Sequence, residues 1–277
     1  MPFTIFDPNM KKIDYPVGVL PLDFLVSAIE KERYVENIKG IPGPINYGFD
    51  YKDREVTLNF WLRHYHGEHD QKLLKSELYA MLDSQPYFYV SDDRLPTRVL
   101  KLAIDEPYLP DRINGSNIST LEVKCQIIGL PFWRTKYTTQ DIQSTEYSAF
   151  VEKYGTADGI NIDLPNYSFT DSTFSVWNGG NVAIDPRNMP LSIMIYDVTS
   201  DNNFTVENLT TGEKFIAQRS LYKHSVNLKG AMFLLNKLNR LRESNRKFIS
   251  LAPGENKIKI SNGSFKKIDF EFPFFYK

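Results

Sequence analysis

A strand–turn–helix–strand unit between Asp53 and Asp92 constrains the fold of this chain more than any other stretch. Apolar residues alternate with polar ones over residues 56–63, which is the two-residue period of a half-buried strand. A helix is predicted next, because Leu74, Leu78, Met81 and Leu82 fall on one side of it. The rest of the chain is predicted to form strands, so this is the one helix expected to pack against them.

The limits of this helix are predicted from its flanking residues. Asp70 is the expected N-cap, because its carboxylate can accept hydrogen bonds from the unpaired amides of the first turn. Pro86 prevents continuation, so the helix should end near Ser84. A strand is then expected over Tyr87–Val90.

Further strands are predicted on both sides of this unit. Residues 3–29 suggest short strands interrupted by prolines, and Arg98–Ile104 and Ser119–Ile128 both alternate with a two-residue period. The connection between the last two, Asp105–Asn117, is a long hairpin or an excursion. Lys31–Asn37 fits a strand or a helical turn equally well.

Residues Ile41–Gly48 are predicted to form a Pro/Gly loop. Its glycines are expected to supply positive φ angles or close packing. No glycine-rich loop in the sequence is followed by Lys-Ser/Thr, so nucleotide binding through a P-loop is unsupported.

The second half indicates closely spaced short strands, which is the pattern of a β-sandwich. Residues 204–217 suggest a hairpin that turns at Thr210–Gly212, and residues 254–272 suggest another that turns at Asn262–Gly263, since Asn-Gly tolerates a type I′ turn. Residues 230–244 carry apolar residues at helical spacing but also fit strands, which are preferred. The other candidate strands are 160–169, 181–184 and 191–198.

The composition supports a mainly β protein with one helix, divided into two domains. Aromatic residues make up 14% of the 277, which suits β-rich packing. A polar stretch without apolar periodicity, Pro131–Gln143, marks the expected boundary. We therefore predict an N-terminal β-sandwich or barrel over residues 1–137 and a C-terminal β-sandwich over residues 138–277.

Charge and cysteine content narrow the possible functions. The formal net charge of −1 argues against binding of nucleic acid or of an anionic membrane through a general positive charge. The single cysteine, Cys125, shares a strand face with apolar residues, so we interpret it as a small buried hydrophobe rather than a reactive thiol. No signal peptide or membrane span is evident, and a soluble product of the cytoplasm is expected.

Three of the four histidines, His64, His66 and His69, lie close together and could be considered as zinc ligands. They fall in the predicted turn between strand and helix, where polar residues are common, and they lack the His-Glu-x-x-His spacing. The prediction is therefore that the chain has no metal site, and whether these histidines bind metal incidentally stays open.

Sequence motifs for catalysis are lacking, and we predict no catalytic residues, no cofactor and no enzymatic activity. There is no Gly-x-Ser-x-Gly elbow and no paired Cys and His with an orienting carboxylate. Trp177 is a candidate platform for a sugar ring, but a core or interface position is preferred for it.

Two regions carry a resemblance to a known family. The segments "DREVTLNFWLR" and "LLKSELYAMLDSQPYFYVSDD" resemble the N-terminal domain of siphophage distal tail proteins, and "NLTTGEKF" with "FISLAPGENKIKISN" resembles their C-terminal portion. The matching positions are Tyr51, Arg54, Val56, Leu58, Phe60, Leu78, Leu82, Pro86, Tyr89, Ser91, Leu251, Pro253, Gly254, Asn256, Ile258 and Ile260.

This resemblance implies a structural virion protein at the tail tip. In the family, six copies close into a ring, possibly stacked, around the channel through which DNA passes, and the C-terminal domain is a galectin-like β-sandwich. The implied partners are the tail tube protein, the tape measure protein, a hub, lysin or fibre protein, and a receptor-binding protein, with no membrane and no specific nucleic-acid binding. The alternative function is a carbohydrate-binding adhesion module that recognises host cell-wall glycan.

Overall fold

The computed structural model describes residues 2–145 and 159–277, and these form two compact units. The first comprises residues up to Trp133 together with Lys277, and the second runs from Arg134 to Tyr276. Both are built mainly of antiparallel strands, which confirms the predicted mainly β class. Within the described ranges, no helix is long and apolar enough to cross a membrane.

The N-terminal unit contains nine strands and one helix. Their bounds are β1 (Phe3–Phe6), β2 (Val19–Val26), β3 (Lys31–Glu36), β4 (Ile45–Tyr51), β5 (Val56–Arg63), α1 (Gly67–Leu82), β6 (Phe88–Asp92), β7 (Arg98–Ala103), β8 (Asp111–Arg112) and β9 (Ile118–Ile127).

The main sheet of this unit follows the order β1–β6–β7–β9–β5–β2, with β8 paired to β9. It curls until its two end strands approach each other, since the rings of Phe3 on β1 and Phe24 on β2 lie 6.1 Å apart. Phe60 on β5 meets Phe3 edge to face, with ring centroids 5.2 Å apart. The result is a barrel-like sheet around one apolar core.

Helix α1 packs on this core through the four residues that the periodicity predicted, Leu74, Leu78, Met81 and Leu82. Its start was predicted wrongly. The helix begins at Gly67, and the Asp70 carboxylate accepts from the backbone N–H groups of Tyr65 (2.6 Å) and His66 (3.0 Å). Asp70 therefore orders the turn before the helix, and these two hydrogen bonds lower the pKa of its carboxyl group.

Strands β3 and β4 form a separate two-stranded hairpin. This settles residues 31–36 of the segment Lys31–Asn37 as a strand, and it corrects the predicted loop Ile41–Gly48, because strand pairing begins at Ile45. Gly48, with φ of +109°, allows the extra residue of a β-bulge at this point, and its N–H donates to Asn46 Oδ1 (2.9 Å). The loop is therefore confined to residues 37–44.

The C-terminal unit contains two facing sheets. Its elements are β10 (Trp133–Thr135), α2 (Thr139–Ser144), β11 (Ser168–Phe169), β12 (Thr173–Asn178), β13 (Ser192–Ser200), β14 (Phe204–Asn208), β15 (Glu213–Ala217), β16 (Leu221–Lys229), β17 (Met232–Leu235), β18 (Leu238–Asn239), a 3₁₀ turn (Leu241–Glu243), β19 (Gly254–Ser261), β20 (Lys267–Glu271) and β21 (Phe275–Tyr276).

The six-stranded sheet follows the order β11–β20–β13–β16–β17–β18, and the four-stranded sheet follows β12–β19–β14–β15. Aromatic side chains join them across the core. Phe169 stacks on Phe174 with ring centroids 4.1 Å apart, and Phe215 meets Phe233 at 5.1 Å. These contacts confirm the predicted sandwich, because each pair takes one ring from each sheet.

The hairpin predicted at Asn262–Gly263 is wrong. Strands β19 and β20 belong to different sheets, and the exposed connection between them passes from one sheet to the other rather than turning back beside β19. Asn262 does adopt a left-handed φ of +61°, but Ser264 pairs with Thr199 through two backbone hydrogen bonds of 2.9 and 2.8 Å. The apolar residues of the two strands therefore enter the core from opposite sides.

Other predictions for this half had mixed outcomes. The hairpin over residues 204–217 is confirmed as β14 and β15, and residues 230–244 form strands β17 and β18, as preferred. The predicted strands 160–169 and 181–184 are reduced to β11 and a single bridge at Ile184. The polar boundary stretch contains α2, in which the Asp141 carboxylate accepts from the Thr138 backbone N–H (2.7 Å).

Candidate assembly surface

The β3–β4 hairpin exposes apolar side chains that no part of its own unit covers. All six residues of β3 and every residue of the loop 37–44 are exposed, and β4 contains no buried residue. The exposed large apolar side chains are Tyr34, Val35, Ile38, Ile41, Tyr47 and Phe49. An isolated two-stranded hairpin is marginally stable in water, and an apolar patch of this kind marks an interaction site.

One face of this hairpin is cationic and aromatic. Strand register places Lys31 beside Tyr51 and Arg33 beside Phe49. The Lys31 ammonium lies 4.9 Å from the Phe49 ring centroid, and the Arg33 guanidinium lies 5.5 Å from the same ring. These cation–π contacts hold the long side chains in place over the rings.

The opposite face is acidic. The Tyr34 hydroxyl donates to Asp50 (2.9 Å) and to Glu32 (3.4 Å), and the first of these bonds is the main reason that the Tyr34 pKa is raised. Nearer the loop, the Tyr47 hydroxyl donates to Glu36 (3.2 Å). Lys52 pairs with Glu32 (3.0 Å), but Asp50 and Glu36 leave this face acidic, so the two faces of the hairpin differ in sign although the whole chain is nearly neutral.

The base of the hairpin is anchored to the barrel. Arg54 Nε donates to the Pro131 carbonyl (2.7 Å), and partial burial lowers the Arg54 pKa. The Tyr51 ring meets Phe132 edge to face, with centroids 5.6 Å apart. Arg54 and Tyr51 are also two of the positions that carry the sequence resemblance, so these positions hold the projecting hairpin on its unit.

A second exposed apolar patch lies on the outer surface of the sheet. Leu20 on β2 pairs in register with Trp61 on β5, and both side chains are exposed, as is Leu25 further along β2. Tyr65 continues this surface beyond the end of β5, where the Arg63 guanidinium lies 5.4 Å from its ring centroid. This patch and the hairpin are the two apolar surfaces of the N-terminal unit used in the proposal below.

The three clustered histidines are in different environments. His64 is buried, and its Nδ1 atom has no hydrogen-bond partner among the described residues. His66 and His69 are exposed at the start of α1. Across residues 2–145 and 159–277, no three His, Cys, Asp or Glu side chains are placed to share a metal ion.

The other two residues considered from the sequence are both packed. Cys125 is buried in β9 as predicted, and desolvation raises the pKa of its thiol to about 12. Trp177 is half-buried, and its Nε1 donates to the Gly159 carbonyl (2.7 Å). The indole of Trp177 is therefore held by its own unit.

The sequence predicted a loop in this region, with bounds that the structure corrects, but not the hairpin that the loop closes. The signal that could have found the hairpin is the match of opposite charge and aromatic residues between "KERYVE" and "INYGFDY", which cross-strand pairing brings together.

Comparison with known proteins supports the predicted resemblance. Residues 15–125 match the family described as phage tail protein RIFT-related domain. This match confirms, over residues 15–125, the resemblance to siphophage tail proteins that the N-terminal motifs carry.

The fold is similar to that of the SPP1 Dit (gp 19.1) protein, described as a paradigm of the hub adsorption apparatus in phages that infect Gram-positive hosts. The alignment has a TM-score of 0.69 and 13% identity, and it covers 98% of this chain and 99% of that one. A chain of the phage p2 baseplate in its activated conformation with Sr aligns with a TM-score of 0.49 and 12% identity, over 98% and 97% of the two chains. No curated protein matches in sequence.

Proposed function

We propose that this chain, which carries a phage tail protein domain, is a non-enzymatic structural protein of the virion. In this proposal six copies form a ring at the distal end of a long non-contractile tail and join the tail tube to the tip, the baseplate and the host-adsorption proteins. The observation that carries the proposal is the exposed hairpin, whose apolar residues require cover from another molecule. The similarity of the fold to the SPP1 hub protein supports it.

A closed ring needs a heterologous contact, in which one surface of each copy meets a different surface of the next. The hairpin suits such a contact because its two faces carry opposite charge. In an isologous dimer, two-fold symmetry would place the same hairpin face of both copies opposite each other. Like charges would then meet, which opposes a dimer through this hairpin. The exposed patch at Leu20, Leu25 and Trp61 is a second surface available to a neighbour.

The two domains have different roles in this proposal. Residues 1–137 form the ring around a central channel, and residues 138–277 form a galectin-like β-sandwich that faces outward. The tail tube and tape measure proteins contact the ring, whereas hub, fibre or receptor-binding proteins dock on the ring or the outer domains. The near-neutral charge of the chain suits a channel wall past which DNA slides without binding.

The native molar mass tests this proposal directly. Light scattering behind size exclusion is expected to give a species near six times 32.1 kDa, or stacked pairs of it, and negative-stain images are expected to show rings. The hairpin is tested in the same experiment by replacing residues 33–49 with a short Gly-Ser turn. This variant should remain folded but monomeric, because the removed residues contribute nothing to the core. A wild-type chain that stays monomeric at high concentration would contradict the ring.

A further inference from the structure

A basic segment of the C-terminal unit, residues 236–247, leads from β18 of the six-stranded sheet to the outer edge of β15 in the four-stranded sheet. Between residues 236 and 247 the sequence carries five Lys or Arg residues and one Glu. That carboxylate, Glu243, is already paired with the side chains of Arg219 and Arg240. Most of the positive charge in this segment is therefore not neutralised locally.

The segment is fixed on strand β15 by Asn245. The backbone N–H of Asn245 donates to the Ile216 carbonyl (3.0 Å), its Oδ1 accepts from the Ile216 N–H (3.1 Å), and its Nδ2 donates to the Lys214 carbonyl (2.8 Å). A single side chain thus completes the outer edge of β15. The two residues that follow, Arg246 and Lys247, are held in place with their side chains exposed.

These two side chains border a polar groove of about 600 Å³. A second groove of about 540 Å³ adjoins it, and the two share Pro186 and Arg187. Each volume lies in the range of small-molecule sites, and together they make an extended channel suited to a chain-like ligand. The cationic residues that line the two grooves are Arg134, Arg187, Lys214, Lys229, Arg246 and Lys247.

Three carboxylates line the grooves, those of Asp185, Glu213 and Glu271, against six cationic side chains, and the first two are already engaged. Asp185 is held by Arg187, with 2.9 Å between Nε and Oδ1, and this pair lowers the Asp185 pKa. Glu213 accepts from both the backbone N–H (2.6 Å) and the hydroxyl (2.5 Å) of Ser250. In contrast, no carboxylate of the described ranges forms an ion pair with Arg246 or Lys247. One of the six cationic side chains, Lys214, pairs with Glu207 (2.9 Å), so the grooves keep a positive net charge.

Two macromolecular ligands fit this arrangement poorly. An acidic peptide that adds a strand to the sheet would need the outer edge of β15, which Asn245 already occupies. Single-stranded nucleic acid normally stacks its bases on exposed aromatic rings, and the only aromatic residue of the first groove, Phe248, is half-buried.

We propose that the two grooves bind an anionic polysaccharide, whose sugar units carry phosphate or carboxylate groups. The guanidinium of Arg246 can accept such a group with two parallel hydrogen bonds, and Lys247 supplies a second charge next to it. Asn188, which lines the second groove, adds a donor for hydroxyl groups along the ligand. This site is independent of ring formation, because all of its residues belong to the C-terminal unit.

Binding of defined polymers to the full-length chain tests the site. The probes are poly(glycerol phosphate), polygalacturonate and neutral dextran, measured by isothermal titration calorimetry at low and at physiological ionic strength. The test variant is Arg246→Gln/Lys247→Gln. The matched control is Lys257→Gln/Lys259→Gln, which removes two exposed cations from β19 of the same unit, outside the grooves.

At least one anionic polymer should bind, and dextran should not. The anionic polymer that binds more tightly identifies whether the site prefers phosphate or carboxylate groups. The test variant should weaken binding by roughly tenfold or more, since two charge-assisted contacts are lost, whereas the control should bind like the wild type. Thermal melting should show that both variants are folded.

Equal loss in the two variants, or no binding of either anionic polymer, would overturn the proposal. Equal or tighter binding of poly-glutamate or of single-stranded DNA would show that the ligand class is wrong. None of these results depends on the mass of the particle, so failure here is distinguishable from failure of the ring.

Discussion

Removing the apolar residues at the tip of the hairpin should weaken assembly while leaving the single chain intact. The chosen change is Ile38→Ser/Ile41→Ser, in the loop that joins β3 to β4. The two isoleucines keep 41% and 49% of their surface exposed, so close to half of each remains for a neighbour to cover.

The expected magnitude follows from that exposed surface. Complete burial of an isoleucine side chain gains about 1.5–3 kcal/mol, so the uncovered part of each is worth roughly 1 kcal/mol. Loss of both costs about 2 kcal/mol per contact between copies, which is about a 30-fold weaker association at each contact. A closed ring repeats this contact at every interface, so the concentration needed for ring formation should rise steeply.

Sedimentation velocity over a range of protein concentrations measures this effect, with a thermal melt to check folding. The melting temperature should be unchanged, because neither side chain lies in the core. The matched control is Ile162→Ser, which makes the same chemical change at a residue of the C-terminal unit that is 63% exposed. If the hairpin variant assembles at the same concentration as the wild type, the hairpin tip does not form the contact and the reasoning fails.

Three further predictions concern stability. Gly18→Ala should lower the free energy of unfolding by several kcal/mol in urea denaturation, because a Cβ there would lie 2.4 Å from a backbone oxygen. The control Gly115→Ala, at a similar positive φ with no atom within 4 Å, should lower it by only about 1–2 kcal/mol. Cys125 should resist thiol reagents in the native state at pH 8.5 and react after unfolding. Burial raises the pKa of its thiol to about 12, so the stability that the protonated thiol contributes is fully present below the unfolded pKa of about 8.5. That contribution is lost as the pH rises toward 12. Thr139→Val should cost about 1–3 kcal/mol, because the buried hydroxyl donates to a backbone carbonyl (2.7 Å) and accepts from a backbone amide (3.2 Å), whereas Thr173→Val, at an exposed strand position, should change the free energy of unfolding little.

The parts of the fold that depend on local periodicity were predictable. Strand β5 and the buried face of helix α1 follow from apolar residues at spacings of two and of three to four, and no distant residue is needed to interpret them. The start of the helix was not predictable in this way. Local sequence favours two roles for Asp70 equally, capping the helix or accepting hydrogen bonds from the turn before it. In the fold its carboxylate accepts hydrogen bonds from that turn.

The Asn262–Gly263 connection shows why local turn signals are not sufficient. Asn262 adopts the left-handed conformation that its residue type favours, but core packing determines which strand pairs with β20. Ile260 and Phe270 must enter that core from opposite sheets, so the chain crosses over instead of forming a hairpin.

The surfaces proposed for function depend on contacts between distant residues, and this is why sequence reasoning found only parts of them. The opposite charges on the two faces of the hairpin appear once β3 and β4 are in register, with a bulge at Gly48 that shifts the pairing. The basic segment was not identified from the sequence, because its position beside β15 depends on the hydrogen bonds of Asn245. The Cys125 environment, in contrast, was predicted because its own strand determines it.

The backbone enters and leaves the C-terminal unit at two points that are neighbours in space. The Thr135 N–H donates to the Phe274 carbonyl (3.0 Å), and the Phe274 N–H donates to the Thr135 hydroxyl (3.0 Å), so two residues 139 positions apart are stapled together. A unit with adjoining ends can be exchanged by recombination, or interrupted by an inserted module, without rerouting the backbone on either side. This half of the protein can therefore be replaced or enlarged as a module without changing the backbone path of the barrel-forming half.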